Sequence, residues 1–294
     1  MGGKGPGGGP PPWYIARRRA DRASNAMIQE LFRIGSFSIS PFGVMLVLSF
    51  IASYLQLRWG MKRLGIGDEE DASALVFAAG VGGIVGAKVY YALLTRDWRV
   101  LLDRSGLVWY GGFILGALAV IWVMRRRRLP GWPMADVAAP ALALGYAVGR
   151  LGCFLVGDDY GRPTDLPWGV AFPVGIPPTT AGDLRTVFGV DIPASVSDGT
   201  LLRVHPTQLY ETAMALAIWG IGIWLFKKRL PAGTVALTVL ALLAVERFIV
   251  EIFRVKDDRF FGSFTMAQVI SICIFLLVLG LGWMRRRRLE PRTA

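Results

Sequence analysis

The chain has 294 residues, of which 53% are hydrophobic and only 18% charged, with a mean hydropathy of +0.46. Soluble domains carry about 25% charged residues, so an ordinary soluble domain is excluded, as are a zinc module and a disulfide scaffold, since the two cysteines, Cys153 and Cys273, both lie in apolar stretches. The 33 Lys and Arg against 21 Asp and Glu give a net charge of +12, which suits either nucleic acid or a lipid surface until the placement of the charge is known.

In chain order, residues 1–26 come first, rich in Gly and Pro and holding Arg17, Arg18, Arg19 and Arg22. Low complexity of this kind builds no core, and the segment lacks the apolar run of a signal peptide. Residues 1–26 are therefore read as an appended leader ahead of a domain over 27–294. Seven windows of about 20 mostly apolar residues follow, at 39–57, 73–94, 106–124, 133–156, 206–226, 233–253 and 264–284. That length matches the hydrocarbon core of a bilayer. The windows lack the alternation of barrel strands, so helices must satisfy the backbone in lipid. The predicted fold class is all-α: a polytopic membrane protein built as a bundle of seven transmembrane helices. One long Pro- and Gly-rich connection, 157–205, is predicted to form a small outer head.

Basic residues sort by side. The loops after the first, third and fifth windows and the C-terminal tail carry 15 Lys and Arg, whereas the other three loops carry nine. Short basic loops stay cytoplasmic. The first span thus begins outside, the C-terminus is cytoplasmic, and the 157–205 head is periplasmic. Only the leader arginines depart from this pattern. Most of the +12 is then a marker of topology in a bacterial inner membrane, and no nucleic acid is expected as a partner.

Ionisable groups inside spans are costly and mark function. At about 1.5 Å per residue, Lys88, Tyr110, Arg150, Glu211 and Arg247 fall in one layer about 6–9 Å below the outer surface. Arg247, Glu251 and Arg254 follow at i, i+4 and i+7 and are expected to share one face of the sixth span. Ion pairs of Lys88 or the arginines with Glu211, Glu246 and Glu251 would explain single members structurally. The layer as a whole reads as a binding site for a phosphate, which arginines hold bidentately. Glycine pairs Gly82/Gly86, Gly112/Gly116 and Gly145/Gly149 are expected to serve close helix packing.

At these residues the sequence resembles the prolipoprotein diacylglyceryl transferases. The matching stretches are GAKVYY (86–91), WYGGFILG (109–116), GRLGCFLVGDDYG (149–161), PWGVAFP (167–173), HPTQLYE (205–211) and ERFIVEIFR (246–254). The resemblance implies transfer of the sn-1,2-diacylglyceryl group from phosphatidylglycerol to the lipobox cysteine of a preprolipoprotein signal peptide. The products are a thioether and glycerol-1-phosphate, formed without metal or cofactor. It also implies that Arg150 and Arg247 bind the phosphate and that Glu251 orients Arg247 or the glycerol hydroxyls. Tyr110 and His205 are the further catalytic candidates. Lys88, Gly112, Gly152, Asp158, Gly161, Gln208, Tyr210, Glu211 and Arg254 would contact substrate.

Several positions depart from the family's pattern. Tyr110 stands where a His proposed as the base is common, Cys153 and Val156 replace two asparagines, Asp158 replaces a Glu, and Lys88 an Arg. A catalytically silent phospholipid-binding homologue and an anionic-lipid transporter are the rival readings. Transporters show internal repeats and midplane sites, and neither is evident here. His205, the only histidine, is either a base of suitable pKa or a hinge for the head. Cys153 is read as a packing residue.

Overall fold

The structure, a computed structural model, describes residues 30–34, 37–101, 109–255 and 259–289; the leader at 1–26 lies outside them. Each of the seven apolar windows corresponds to a long helix: α1 Pro41–Leu64, α2 Glu69–Thr95, α3 Trp109–Arg126, α4 Gly131–Val156, α6 Thr207–Lys227, α7 Thr234–Glu251 and α8 Met266–Leu289. Five of these, α1, α2, α4, α6 and α8, are long and apolar enough to cross a membrane. The other two are only 18 residues long, so no stretch of that length avoids their charges: α7 holds Glu246, Arg247 and Glu251, and α3 closes on Arg125 and Arg126. An eight-residue helix the windows missed, α5 Ala181–Phe188, lies in the 157–205 connection. Among the described residues, strand is confined to two short antiparallel pairs, β1 Phe32–Ile34 with β2 Phe37–Ile39, and β3 Arg259–Phe261 with β4 Phe264–Thr265.

The chain divides into two compact units. The first covers 50–145 and 219–239. In it, α2 and α3 approach closely at glycine. A Cβ on Gly82 would lie 2.9 Å from the Ala119 Cβ and 3.0 Å from the Gly116 Cα, and one on Gly86 would overlap the Gly111 carbonyl. Gly149, by contrast, has nothing within 4 Å of a built Cβ, so the packing expected there is not found; helical spacing of glycines marks a contact only where a neighbour fills the groove. The buried carboxylate of Asp136, from α4, accepts from Gly233 N at 2.6 Å and Ala236 N at 2.8 Å. It thereby caps the first turn of α7, whose backbone donors otherwise lack partners in an apolar setting.

The second unit covers 1–49, 146–218 and 240–294, and it includes the 157–205 connection expected to be a head. Helix α4 ends because Gly157 adopts φ +69° and turns its N–H back to Cys153 O at 2.9 Å. The head has its own core of Tyr160, Phe172, Leu184, Val196, Leu202 and Val204, and α5 contributes one apolar face to it. On the other side of α5, Arg185 donates to the carbonyls of Ile192 (3.1 Å), Pro193 (2.6 Å) and Val196 (2.6 Å) and pairs with Asp198. One guanidinium thus closes a loop that has no regular secondary structure. Hydrogen bonds to a charged group contribute about 1.5–3 kcal/mol each, and replacing the side chain orphans three carbonyls at once. Arg185→Ala is expected to expose 190–199 to limited proteolysis while the transmembrane helices keep their far-UV circular dichroism. Unchanged cleavage in that segment would contradict this account.

Candidate functional site

The second unit gathers charge at the C-terminal end of α4, the start of α6 and the end of α7. Glu211, on the first turns of α6, is 1% exposed and lies at the centre. It accepts from Arg150 Nε at 2.5 Å and from the Tyr146 hydroxyl at 3.1 Å, and it pairs with Arg150 Nη2. Arg247 Nη1 and Arg254 Nη1 stand at 3.9 and 4.0 Å from the same carboxylate. Arg247 Nη2 is held by Glu251 at 2.6 Å, one turn along α7. Arg254 Nη2 is held by Asp159 at 2.7 Å, and Arg150 Nη1 reaches the other Asp159 oxygen at 3.2 Å. Three guanidiniums from separate stretches of chain therefore share three carboxylates.

Two features of the cluster bear on its chemistry. First, the cations do not outnumber the acids: Arg150, Arg247 and Arg254 meet Asp159, Glu211 and Glu251, and the side chains of Asp158 and Glu246 are close by. The cluster holds itself together and is not simply a cationic well. It still has a donor left over, because Arg247 Nη1 is buried and makes no hydrogen bond. Second, Arg254 does not continue the α7 face. The helix ends at Glu251, and Arg254 instead pairs as an antiparallel bridge with Gly161. That bridge explains Gly161: a Cβ there would lie 2.5 Å from Phe253 O and 2.7 Å from the His205 Cβ.

Asp159, which joins two of the arginines, is not among the residues that the sequence singles out. Its backbone is left-handed, φ +56°, a region that Asp enters more readily than most residues. The one available signal was the doubled acid in GDDYG, followed at once by the small Gly161. Tyr146, which hydrogen-bonds Glu211, carried no motif at all.

The other predicted residues divide between the units. Gln208 is fully buried and donates to Asp158 O at 2.5 Å, fixing the turn that presents Asp158 and Asp159. Gly152 is where α4 meets α1, with a built Cβ 2.9 Å from the Met45 Cβ. Lys88, Tyr110 and Gly112 belong to the other unit. There Lys88 Nζ donates to Val100 O at 3.5 Å, and a Cβ on Gly112 would stand 2.9 Å from Gly83 O. The Tyr110 side chain lies outside the described residues. Cys153, Asp158 and Asp159 bring donor atoms within 4.8 Å of one another, but the arginines that already hold Asp159 oppose a cation there.

His205 is tied into the head. Its backbone N–H donates to Arg162 O, its carbonyl accepts from Gly161, and its ring packs on Phe253 at 5.3 Å. Trp168 Nε1 donates to the Tyr210 hydroxyl at 2.8 Å, and the same hydroxyl hydrogen-bonds His205 Nδ1 at 3.2 Å. Burial pushes the imidazole below its usual value of 6.5. Because the unfolded chain takes up the proton first, the stability is complete above about pH 6.5 and is lost as pH falls toward the lowered value. Acidification from pH 7.5 to 5.5 should lower the unfolding midpoint, and His205→Gln should flatten that dependence. An unchanged slope in the variant would show that other groups carry it.

Comparison with known proteins agrees with the motifs. The family model described as prolipoprotein diacylglyceryl transferase matches residues 29–284. A phosphatidylglycerol–prolipoprotein diacylglyceryl transferase of Geobacter sulfurreducens is 32% identical over 275 residues, covering 87% of this chain and 95% of that protein. Proteins of the same name from Solidesulfovibrio magneticus and Bordetella avium are 31% and 30% identical, and the matches cover 94% and 96% of their lengths. With the site's arginines, acids and HPTQLYE turn all inside the matched span, the chain belongs to the prolipoprotein diacylglyceryl transferase family.

Proposed function

We propose that this chain transfers a diacylglyceryl group from phosphatidylglycerol to the lipobox cysteine of a preprolipoprotein signal peptide, giving a thioether and glycerol-1-phosphate. The observation that carries the reading is the convergence of Arg150, Arg247 and Arg254 on Glu211, with one buried Arg247 donor unmatched. Displacement at a glycerol CH₂ carbon needs charge stabilised on the departing phosphate. Fixed guanidiniums in a poorly solvated site do this without reorganising. Here the phosphate oxygens would compete with Asp159 and Glu211 for donors already aimed at carboxylates, so binding exchanges one anion for another. Arg150 and Arg247 hold the phosphate in this scheme, Glu251 and Asp159 orient the arginines, and Gln208 positions the Asp158–Asp159 turn. His205, Tyr210 and Trp168 hold the head over the site.

The same proposal includes seven membrane spans, with α3 and α7 joining the five more apolar helices, the C-terminus cytoplasmic, and the head on the periplasmic face of the bacterial inner membrane. The charge of α7 fits this arrangement, because its ionisable residues are the site. The experiment is direct: purified protein, phosphatidylglycerol vesicles and a fluorescent lipobox peptide should yield thioether-linked product. No product, beside an active control enzyme in the same membranes, would sink the reading. Cysteine accessibility in right-side-out spheroplasts, with labels at head position Asp191 and tail position Arg286, tests the orientation separately.

A further inference from the structure

We propose that Asp158 is the proton acceptor for the incoming cysteine thiol, and that the cavity beside it receives that thiol; the assignment rests on the transferase reading above. The cavity holds about 250 Å³. Pro177, Val187 and Phe188 contribute to its apolar side, while Asp158, Asp159 and Arg254 form its polar side. It therefore joins an apolar space fit for a peptide side chain to the edge of the arginine cluster.

The acids of the cluster are not equivalent. Glu211 is bound to Arg150, Glu251 to Arg247, and Asp159 to both Arg150 and Arg254. Glu246 lies in α7 outside the cavity wall. Asp158 alone combines a place on that wall with freedom from any arginine ion pair within 4 Å among the described residues, and its Oδ1 accepts no hydrogen bond. A thiol already stands beside it: the Cys153 sulfur lies within 4.8 Å of its carboxylate. The groups that face it are Cys153 and Arg150 from α4, Asp159 beside it in the chain, and Arg254 beyond α7. Gln208 of α6 holds its carbonyl.

Burial raises the Asp158 carboxyl above the ordinary carboxylate range, toward the thiol it must deprotonate. That narrows the mismatch with a cysteine of unperturbed pKa about 8.5. Arg150 and Arg254 stabilise the thiolate once formed. In the step itself, the S–H proton passes to the Asp158 carboxylate and a sulfur lone pair forms the S–C bond at the glycerol carbon. The C–O bond to phosphorus breaks, and its electron pair leaves on the phosphate held by the arginines. The Asp158 proton then passes to that phosphate or to water. Neither His205, whose Nδ1 is engaged by Tyr210, nor an added cofactor is required.

The test uses the full chain in phosphatidylglycerol vesicles with two peptides, one with cysteine and one with selenocysteine at the lipobox position. The selenol is more acidic and is ionised at neutral pH without help from a base. Asp158→Asn is expected to lower kcat on the cysteine peptide by about 10²–10⁴-fold and to leave the selenocysteine rate within a few-fold of the wild-type rate, with unchanged affinity for phosphatidylglycerol. Equal losses on both peptides, or no loss on either, overturn the assignment. If Asp158→Asn does not fold, Asp158→Glu carries the test: it must keep transfer with the acidic limb of its pH profile shifted, and an unshifted limb overturns the proposal. A wild-type chain inactive on both peptides overturns the transferase reading itself, a different outcome from either of these.

Discussion

Glu211→Gln is expected to abolish measurable transfer and to lower the unfolding midpoint of the protein in detergent. The carboxylate is 1% exposed and receives Arg150 through two nitrogens, with Tyr146 on its second oxygen and Arg247 and Arg254 at the edge of reach. An amide of the same shape still accepts one hydrogen bond but carries no charge. Three guanidiniums would then share Asp159 and Glu251 in a setting where water cannot compensate. Removing one member of a buried ion pair costs about 3–5 kcal/mol, with the retained hydrogen bond placing Gln toward the lower end. The arginines would also lose their common anchor, and misplacing reacting groups by about 1 Å costs on the order of 100-fold in rate. Thermal unfolding and thioether formation measured on one preparation check both halves. A variant with wild-type midpoint and rate would remove Glu211 from the centre of the site.

Much of this was legible in the sequence because the bilayer imposes a length. Seven apolar windows became seven helices, with ends shifted by a few residues where Pro41, Gly131 and Arg126 fall. Arg150, Glu211 and Arg247 could be aligned by depth for the same reason, since rise per residue is fixed. What failed was whatever depended on chain leaving the helix. Arg254 was placed by extending α7 through three more residues, whereas the chain turns at Ile252–Phe253 and delivers the same side chain by a bridge to Gly161. It reaches the cluster for a reason the spacing did not contain. Asp159 acts through a left-handed backbone, and no hydropathy pattern encodes that. The head is held by Arg185 and by Arg203, which donates to the carbonyls of Gly169 and Pro167. Two of its basic residues are therefore fasteners for loops, which a count of charges by side does not show.

Arg247 makes the sharpest distinction between a structural cluster and a phosphate site. A purely structural arginine has its charge matched at close range, and Arg150 and Arg254 approach that condition: Arg150 Nη2 makes no hydrogen bond but is in direct ion-pair contact with Glu211, and Arg254 Nη2 is held by Asp159. Arg247 gives Nη2 to Glu251 and keeps Nη1 buried without a hydrogen bond, 3.9 Å from Glu211. Leaving such a donor unmatched is costly in a folded protein, so its retention points to an oxygen that arrives with substrate. Arg247→Ala is expected to cut kcat by about 10²–10³-fold, the effect of removing one preorganised donor to a developing anion. Its effect on stability should be smaller than that of Glu211→Gln, because the side chain is one-third exposed. Arg247→Lys should fail almost as badly, since a single ammonium cannot bind Glu251 and a phosphate oxygen in the fixed fork that a guanidinium provides. The informative comparison is Glu251→Gln. It leaves Arg247 charged but loosens its orientation, and it should raise the KM for phosphatidylglycerol while lowering kcat less than Arg247→Ala does. If Arg247→Lys transfers at the wild-type rate, charge alone suffices and the geometry at Nη1 is not what the reaction uses.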